Sequence, residues 1–405
     1  MNVMMIAPGY PDEMPFFVRG LAMEGAAVIG VGDQPEHDVP GMTKRHLAAY
    51  VRVPSLQDEE GCIKTVKQWA NGKHIDRVIC LWEPGVILAA KLREELGTPG
   101  MNVEEVLPFR DKDIMKEIVA KAGIRTPMHK AAKSAQGVRA AVKKIGYPAI
   151  IKPIAGAGSM DTYRVDNPEE LKAAIAKLGH VDHVNVEEFI DGEEFTYDTI
   201  CVDGKMLYKN IGYYRPRPLI ARSEEWISPQ TLCLRDLDAP ELQEGHRMGR
   251  EVLEALKMKT GFTHMEWYRK SNGEVVFGEI AVRPAGARTV DLMNFVSDID
   301  LFRGYAEAEV KGTFSQNSPR KYNTVNIFKR AQGTGRIKEI HGLESLKQRY
   351  GKYIVHVDLL PIGAPRRNWI QTLVSDGYVC VRHPDFETVK EIADAVGTDL
   401  NMYAG

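Results

Sequence analysis

The sequence predicts a chain of several domains, in which an α/β unit is followed by α+β units. Three observations predict this fold class. In the first hundred residues, short apolar runs alternate with helical segments, which is the pattern of βαβ units and a parallel sheet. Near residue 150, a short β-branched strand runs into a loop of small residues. Farther on, two apolar runs flank Ser271-Asn272-Gly273, and Asn-Gly in that setting indicates a β-hairpin.

Length and composition exclude several classes of protein. A chain of 405 residues is long enough for about two to four domains. Its apolar content of 44% and charged content of 27% are typical of a globular protein in water, and no apolar run approaches the length of a membrane span. A formal net charge of −2 gives no electrostatic reason to expect nucleic acid or an anionic membrane as a partner. The five cysteines are scattered without a C-x-x-C pair, so we expect free thiols and a cytoplasmic location.

The N-terminal part is expected to be Rossmann-like. Strands are predicted at 3–7, 26–31 and 78–82, with helices at about 16–24 and 86–96. The usual G-x-G-x-x-G fingerprint is missing after the first strand. Gly30-Val31-Gly32 follows the second strand but lacks the third glycine, so we interpret it as a turn rather than a dinucleotide site.

A helix after residue 110 carries the first candidate binding residue. Asp111 can cap this helix, Ile114 to Ala122 provide its apolar stripe, and Gly123 is expected to end it. Lys112 lies in the first turn, where a cation gains nothing from the helix dipole. This position suggests an anion outside the helix, although a solvated surface lysine explains the residue equally well.

The strand near residue 150 ends in a second candidate site. Lys152 lies near the end of the strand and is followed by a loop that contains Gly156, Gly158 and Ser159. Glycines let backbone N–H groups approach phosphate oxygens, and a lysine supplies a point charge. No G-K-[ST] follows, so this is not a Walker A loop, and a plain flexible hairpin remains the alternative.

An acidic stretch from 184 to 195 comes next. An extended connection here leaves N–H and C=O groups that can match the edge of an adenine ring. Glu194, seven residues after Glu187, could accept both hydroxyls of a ribose. Taken alone, an acidic stretch of this kind is more often a solvated turn.

The predicted hairpin carries two carboxylates. Folding at Asn272-Gly273 brings Glu266 and Glu279 to similar levels of adjacent strands. Carboxylates among apolar neighbours repel each other unless a cation lies between them, and Mg²⁺ is commonly held by one or two carboxylates plus substrate phosphates. Arg283 would add a fixed positive charge nearby. The alternative is a pair of solvent-facing glutamates on an ordinary hairpin.

The order and spacing of these four segments resemble the ATP-grasp superfamily, in particular its carboxylate–amine ligases, which include L-amino acid ligases and are related to biotin-carboxylase-like enzymes. The resemblance covers about 1–313 well and 314–405 more loosely. It implies an ATP-grasp fold that combines α/β and α+β parts. The implied units are a Rossmann-like N-terminal domain (1–108), a linker helix (109–124), a lid subdomain (125–185), a catalytic subdomain (186–313) and a C-terminal antiparallel α+β region (314–405).

The resemblance also implies roles for individual residues. The implied nucleotide-binding residues are Lys112, Lys152, Gly156, Gly158, Ser159, Glu187, Glu188, Phe189 and Glu194. Glu266 and Glu279 would hold Mg²⁺, or Mn²⁺ in its place, and Lys152, Glu279 and Arg283 would act in catalysis. Many members read E-I-N-x-R at the second glutamate, whereas this chain has Ala281 in place of the asparagine, which puts the ligands of a second ion in doubt.

The implied reaction is ATP-dependent amide formation through an acyl phosphate, with release of ADP and phosphate, and amino acids are the expected substrates. Arg215, Arg217 and Arg222 could form a wall that binds a carboxylate, and His264 and Arg283 could touch substrate. The alternatives are a carboxylase or formate-using ligase and a non-catalytic ATP-binding regulator. The expected partners are small carboxylates and amines, a homodimer is compatible with the sequence, and no nucleic acid or membrane partner is expected.

Overall fold

A four-stranded parallel sheet forms the N-terminal part of the fold. The computed structural model describes residues 1–154, 161–372 and 374–405. The strands are β1 (Asn2–Ile6), β2 (Ala27–Gly32), β3 (Leu47–Arg52) and β4 (Arg77–Cys80), in the order β3-β2-β1-β4. The helices are α1 (Met14–Met23), α2 (Gly41–His46), α3 (Glu59–Ala70) and α4 (Val86–Leu96). The predicted βαβ pattern is therefore confirmed, and α4 ends where Gly97 adopts the left-handed conformation.

Two helices connect this sheet to the next unit, α5 (Val103–Val106) and α6 (Lys112–Lys121). Asp111 caps α6 as predicted, because its carboxylate accepts the backbone N–H groups of Asp113 and Ile114 at 2.9 and 3.0 Å. The helix ends one residue earlier than expected, because its C-terminal cap is Ala122 rather than Gly123.

A small antiparallel sheet follows. Its strands are β5 (His129–Ala132), β6 (Ala149–Pro153), β7 (Tyr163–Val165) and β8 (Val184–Glu188), in the order β5-β8-β6-β7. Helices α7 (Ala135–Ile145) and α8 (Pro168–Lys177) pack on this sheet around an apolar core of their own. Gly156, Gly158 and Ser159 lie outside the described residues, so the predicted phosphate loop stays a prediction.

The remainder of the chain is built on a large antiparallel sheet. Its elements, in chain order, are β9 (Glu193–Val202), β10 (Lys205–Arg215), α9 (Pro218–Ala221), β11 (Gln230–Cys233), α10 (Gln243–Ala255), β12 (Gly261–Arg269), β13 (Val275–Ala281), α11 (Thr289–Ser297), α12 (Leu301–Lys311), β14 (Asn323–Phe328), β15 (Gln332–Gly333), β16 (Ile337–His341), α13 (Leu343–Tyr350), β17 (Ile354–Leu359), β18 (Gly377–His383), α14 (Phe386–Asp399) and β19 (Asn401–Ala404). The large sheet has the order β13-β12-β9-β10-β11-β14-β18-β17, and β15, β19 and β16 form a separate small sheet.

The two faces of the large sheet have different environments because side chains alternate along a strand. Trp267 and Tyr197 face α10, where a Cβ on Gly245 or Gly249 would come within 2.4 Å of these two rings, so the glycines permit this close packing. Glu266, the neighbour of Trp267 in β12, lies on the opposite face, directly across from Glu279 in β13. The packing of α10 therefore holds the strand that presents Glu266 to the other side of the sheet.

Among the described residues, no helix combines the length and the apolar character that crossing a membrane would require.

Candidate active site

A cleft lies between the small sheet and the large sheet. It encloses about 700 Å³ including its open mouth. Its polar lining comes from α6, the small sheet and the large sheet, and includes Lys112, Lys152, Glu187, Glu188, Glu194, Arg217, Glu266 and Glu279. Residues that are far apart in the sequence and that we selected for four separate motifs thus share one cleft.

Two lysines converge on one glutamate in this cleft. Lys112 Nζ and Lys152 Nζ each lie 3.4 Å from Glu279 Oε2. Burial raises the pKa of Glu279, but the positive charges of Lys112 and Lys152 outweigh burial and hold its pKa well below the usual range. Glu279 is therefore ionised, and the two ammonium groups form a cationic end of the cleft that is suited to phosphate oxygens.

A third lysine in this network escaped sequence reasoning. Lys116 is fully buried and forms a close ion pair with Glu187, whose other oxygen lies 3.1 Å from Lys152 Nζ. Asn185 Nδ2 also donates to Glu187, at 3.0 Å. One signal was available, because Lys116 lies one helical turn after Lys112 and so falls on the same face of α6.

Burial and the neighbouring charges lower the pKa of both members of the buried pair, Lys116 and Glu187, for different reasons. Burial lowers the pKa of Lys116 to about 8, against the raising effect of Glu187. Burial alone would raise the pKa of Glu187, but Lys116 and Lys152 outweigh it, and the pKa is lowered. Glu187 thus keeps its negative charge at the end of the cleft where we predicted an adenine ring.

The side chains of the two residues after Glu187, Glu188 and Phe189, make contacts with arginines. The Glu188 carboxylate accepts two hydrogen bonds from Arg125 Nη2, at 2.8 and 3.0 Å, and one from the backbone N–H of Met128 at 3.1 Å. The Phe189 ring lies beside the guanidinium groups of Arg164 and Arg217, at 4.2 and 5.0 Å. The Glu188 carboxylate is therefore already paired within the protein, although Glu188 also lines the cleft.

The carboxylate predicted to hold a ribose lies next to an arginine. Arg217 Nε is 3.3 Å from Glu194 Oε2, and Arg217 Nη1 donates to the carbonyl of Ile190 at 2.7 Å. Burial and the nearby charge of Glu266 raise the pKa of Glu194 to about 8, while Arg217 opposes them. Arg217 also lies over the ring of Tyr268 at 4.9 Å, so it is fixed in the wall of the cleft.

The other two arginines of the predicted wall lie outside the cleft. Arg215 pairs with Asp394 of α14 at 3.2 Å and donates to Gln230 at 2.9 Å. Since side chains alternate along β10, Tyr214 shares the face of the cleft and Arg215 points to the face covered by α14. Arg222, just after α9, donates to the carbonyl of Ile370 at 3.3 Å. The structure therefore brings only Arg217 of the three to the cleft.

His264 lies between two carboxylates on the face of the sheet that carries the site. Its Nδ1 is 2.6 Å from Asp198 Oδ1, and its Nε2 is 3.6 Å from Glu266 Oε1. Burial lowers the pKa of His264, but Asp198 outweighs burial and raises the pKa to about 9. Asp198, which the sequence did not single out, is itself held by hydrogen bonds from Thr196 at 2.8 Å and Asn210 at 3.1 Å.

Arg283 connects the hairpin to the N-terminal sheet. Its Nε lies 2.8 Å from Glu83 Oε2, and Arg110 Nη1 lies 2.5 Å from Glu83 Oε1. Sequence reasoning missed Glu83. A signal was present, because the residue follows β4, and ligand-binding groups of parallel sheets gather at the carboxyl ends of the strands.

The carboxylate pair on the hairpin suits a magnesium ion that is shared with phosphate. Within residues 1–154, 161–372 and 374–405, no group of three or more His, Cys, Asp or Glu side chains is arranged to hold a metal by itself. Glu266 and Glu279 nonetheless lie opposite each other in register. One or two carboxylates completed by substrate phosphates and water are the usual protein environment of Mg²⁺. Ala281, opposite His264, offers no further oxygen from its side chain.

Comparison with known proteins identifies ATP-grasp families over two parts of this chain. The ATP-grasp N-terminal domain family matches residues 24–100, and the ATP-grasp domain family matches residues 145–291. The L-arginine-specific L-amino acid ligase of Bacillus subtilis is 27% identical over 292 residues, which are 70% of this chain and 69% of the relative. The formate-dependent phosphoribosylglycinamide formyltransferase of Synechococcus sp. (strain RCC307) is 27% identical over 262 residues, 60% of this chain and 64% of the relative.

One solved structure extends the likeness in fold to the whole chain. The crystal structure of the L-amino acid ligase from Bacillus licheniformis superposes with a TM-score of 0.81 at 21% identity and covers 100% of this chain and 99% of that one.

Proposed function

This chain belongs to the ATP-grasp superfamily of ligases, and we propose that it uses ATP to join a small carboxylate to an amine, releasing ADP and phosphate. The observation that carries this proposal is the convergence of Lys112 and Lys152 on Glu279, opposite Glu266. Two cations and two carboxylates that face one cleft suit a nucleotide triphosphate and its metal ion.

In this proposal, the nucleotide lies along the cleft. Glu187 and the backbone of Glu188 to Ile190 contact the adenine, and Glu194 contacts the ribose. Lys112 and Lys152 contact the phosphates. Glu266 and Glu279 would hold Mg²⁺, which when bound neutralises charge on the transferring phosphoryl group.

The proposed reaction has two steps. A carboxylate is a poor acylating agent because its leaving group would be oxide, so its oxygen first attacks the γ-phosphorus of ATP and ADP leaves. The amine nitrogen then attacks the carbonyl carbon of the acyl phosphate, phosphate leaves, and the nitrogen loses a proton. Lys112, Lys152 and Arg283 would stabilise the charge that develops on the phosphoryl oxygens, and the cleft would keep water from the acyl phosphate.

Amino acids are the substrates that we propose, and the likeness to the L-arginine-specific L-amino acid ligase supports this class. His264 Nε2 lies 3.6 Å from Glu266 Oε1, and Arg283 follows Glu279 by four positions, so we propose that both contact the substrate beside the phosphoryl group. Arg217 is held by Glu194 and Ile190, and we propose a role for it in shaping the nucleotide end of the cleft.

Product analysis tests this function. The protein is incubated with ATP and Mg²⁺ and with pools of amino acids, bicarbonate plus biotin, or formate plus an amine. We expect ADP and phosphate, formed only when amino acids are paired. AMP and pyrophosphate as stoichiometric products would contradict the acyl phosphate route.

A formate-using ligase is the second candidate, because the formyltransferase of Synechococcus matches 60% of this chain. Phosphate release only in the formate pool would favour it. Nucleotide binding without turnover on any pool would instead favour an ATP-binding regulator.

A further inference from the structure

A second cavity lies between the N-terminal sheet and the part of the chain that carries the hairpin. It encloses about 860 Å³ including its mouth, and none of its lining residues lines the cleft described above. Its apolar walls come from both units: Val78, Leu81, Val86 and Ala89 on one side, and Phe262 and Val282 on the other. Charged side chains also line it, namely Arg77, Arg93, Asp203, Lys259 and Glu309. Apolar walls combined with a few polar groups are typical of small-molecule sites.

A buried acid faces this cavity. Glu309 in α12 is 8% exposed and accepts a hydrogen bond from the Tyr305 hydroxyl at 2.9 Å. No lysine, arginine or histidine of the described residues lies within ion-pair distance of its carboxylate. Burial raises its pKa, because the carboxylate is removed from water without a cation in contact.

A half-buried guanidinium group lines the same cavity. Arg93 in α4 donates from Nε to the carbonyl of Met101 at 2.7 Å and from Nη1 to that of Val78 at 2.8 Å. Throughout the described part of the chain, no carboxylate comes within 4 Å of the Arg93 guanidinium. These two carbonyls hold the side chain in place, yet its charge is not matched by contact with an anion.

The cavity thus holds opposite charges that do not touch each other. An unpaired buried charge is costly, and the cost falls when a group of opposite charge makes hydrogen bonds to it. A molecule that offers both charges and an apolar body would satisfy both walls at once. We propose that this cavity is a second ligand site for a free α-amino acid with an apolar side chain, with its ammonium group on Glu309, its carboxylate on Arg93 and its side chain against the aliphatic wall.

The position of the cavity makes such a ligand an effector rather than a reactant. Val282 in its wall is the direct neighbour of Arg283, and Leu81 is two residues from Glu83. Glu83 and Arg283 form the 2.8 Å ion pair that joins the two units across the same interface. A bound amino acid would therefore bias the relative position of the hairpin and the N-terminal sheet, and with it Arg283.

Calorimetry on the full-length protein without nucleotide tests the site. The probes are L-leucine, 4-methylpentanoate, which lacks the ammonium group, and 3-methylbutylamine, which lacks the carboxylate. We expect L-leucine to bind and each analogue to bind at least about tenfold more weakly. No heat of binding from L-leucine at millimolar concentration would overturn the proposal.

Three variants separate this site from the cleft. Glu309→Gln removes the charge and keeps the shape, and Ala89→Phe fills the cavity from the opposite wall; both should weaken L-leucine binding at least about tenfold and leave ATP binding unchanged. Glu307→Gln is the matched control, because Glu307 is equally buried on α12 but is bound by Thr313 and Ser315 outside the cavity. L-leucine binding that survives both cavity variants would overturn the proposal, because the amino acid would then bind elsewhere.

Discussion

At the scale of single residues, Glu279 is the centre of the site. Its carboxylate lies 3.4 Å from the ammonium groups of both Lys112 and Lys152, and the residue is opposite Glu266 in the hairpin. We expect Glu279→Gln to lower kcat by about 10²-fold or more, because the amide keeps the size of the side chain but loses the charge that holds both lysines and the metal. Phosphate release at saturating ATP and Mg²⁺ measures this loss.

Glu274→Gln is the control for that experiment. Glu274 lies on the same hairpin but pairs with Arg125 and Lys270 away from the cleft. The turnover of the Glu274→Gln variant should therefore stay close to that of the unmodified protein. Near-normal turnover of Glu279→Gln would show that the hairpin is not the metal site.

Lys116 predicts a dependence of stability on pH. Burial lowers its pKa to about 8, whereas a lysine in an unfolded chain has a pKa of about 10.4. Between these values the unfolded chain binds the proton and the folded protein does not, so this residue makes the free energy of unfolding rise with pH across the window. The gain should be on the order of 2 kcal/mol between pH 8 and 10.

Denaturant unfolding at several pH values tests this prediction. Lys116→Met should lose the rise, while Lys121→Met, an exposed position on the same helix, should keep it. The comparison between proteins cancels the titration of tyrosines and other groups that both share. Equal slopes in all three proteins would contradict the assignment.

At the scale of elements, the small sheet is the part expected to respond to nucleotide. Lys152 in β6 reaches across the cleft to Glu279 in β13, so a bound nucleotide should tie the two sheets together. We expect ATP with Mg²⁺ to slow amide hydrogen exchange in β6 and in the segment from 154 to 162 that follows it.

Lys152→Ala should remove most of this protection without unfolding the small sheet, because it takes a positive charge from the proposed phosphate site. Lys130→Ala, on the exposed side of β5, is the matched control and should keep the protection. An exchange pattern that saturating nucleotide leaves unchanged would count against a closing lid.

At the scale of the whole molecule, Glu83 joins the N-terminal sheet to the hairpin. Burial raises its pKa, but Arg283 and Arg110 outweigh burial and lower it, so the carboxylate stays ionised between two arginines. Removing one partner of a buried ion pair typically costs about 3–5 kcal/mol, because the other charge is left buried and unpaired. We expect Glu83→Ala to lose stability in this range and to lose turnover through the displaced Arg283.

Urea unfolding and phosphate release together test the role of Glu83. Glu95→Ala is the control, since Glu95 pairs with Lys67 on the surface and such pairs contribute little. Unchanged stability and turnover in Glu83→Ala would mean that the two units do not depend on this contact.

Much of the fold follows from local patterns in the sequence. The Asn272-Gly273 turn forms the hairpin that carries Glu266 and Glu279, and a register shift between Glu266 and Trp267 then places the two glutamates opposite each other. The Asp111 cap determines where α6 begins and hence where Lys112 lies. The alternation of strands and helices determines the parallel N-terminal sheet. These features depend on residues a few positions apart, whose periodicity and backbone preferences act within a single element.

Only the tertiary structure decided which elements share the cleft and which charges pair. Lys116 meets Glu187 across 71 positions and Glu83 meets Arg283 across 200, and no local pattern specifies such distant partners. Arg215 and Arg217 are near neighbours in sequence, yet one turns to α14 and the other to the cleft, because strand alternation ends with β10. The sequence by itself therefore determined the elements and the residue types of the site. Their meeting in one cleft depends on how the sheets pack, because long-range electrostatic pairing exists only once distant segments are buried together.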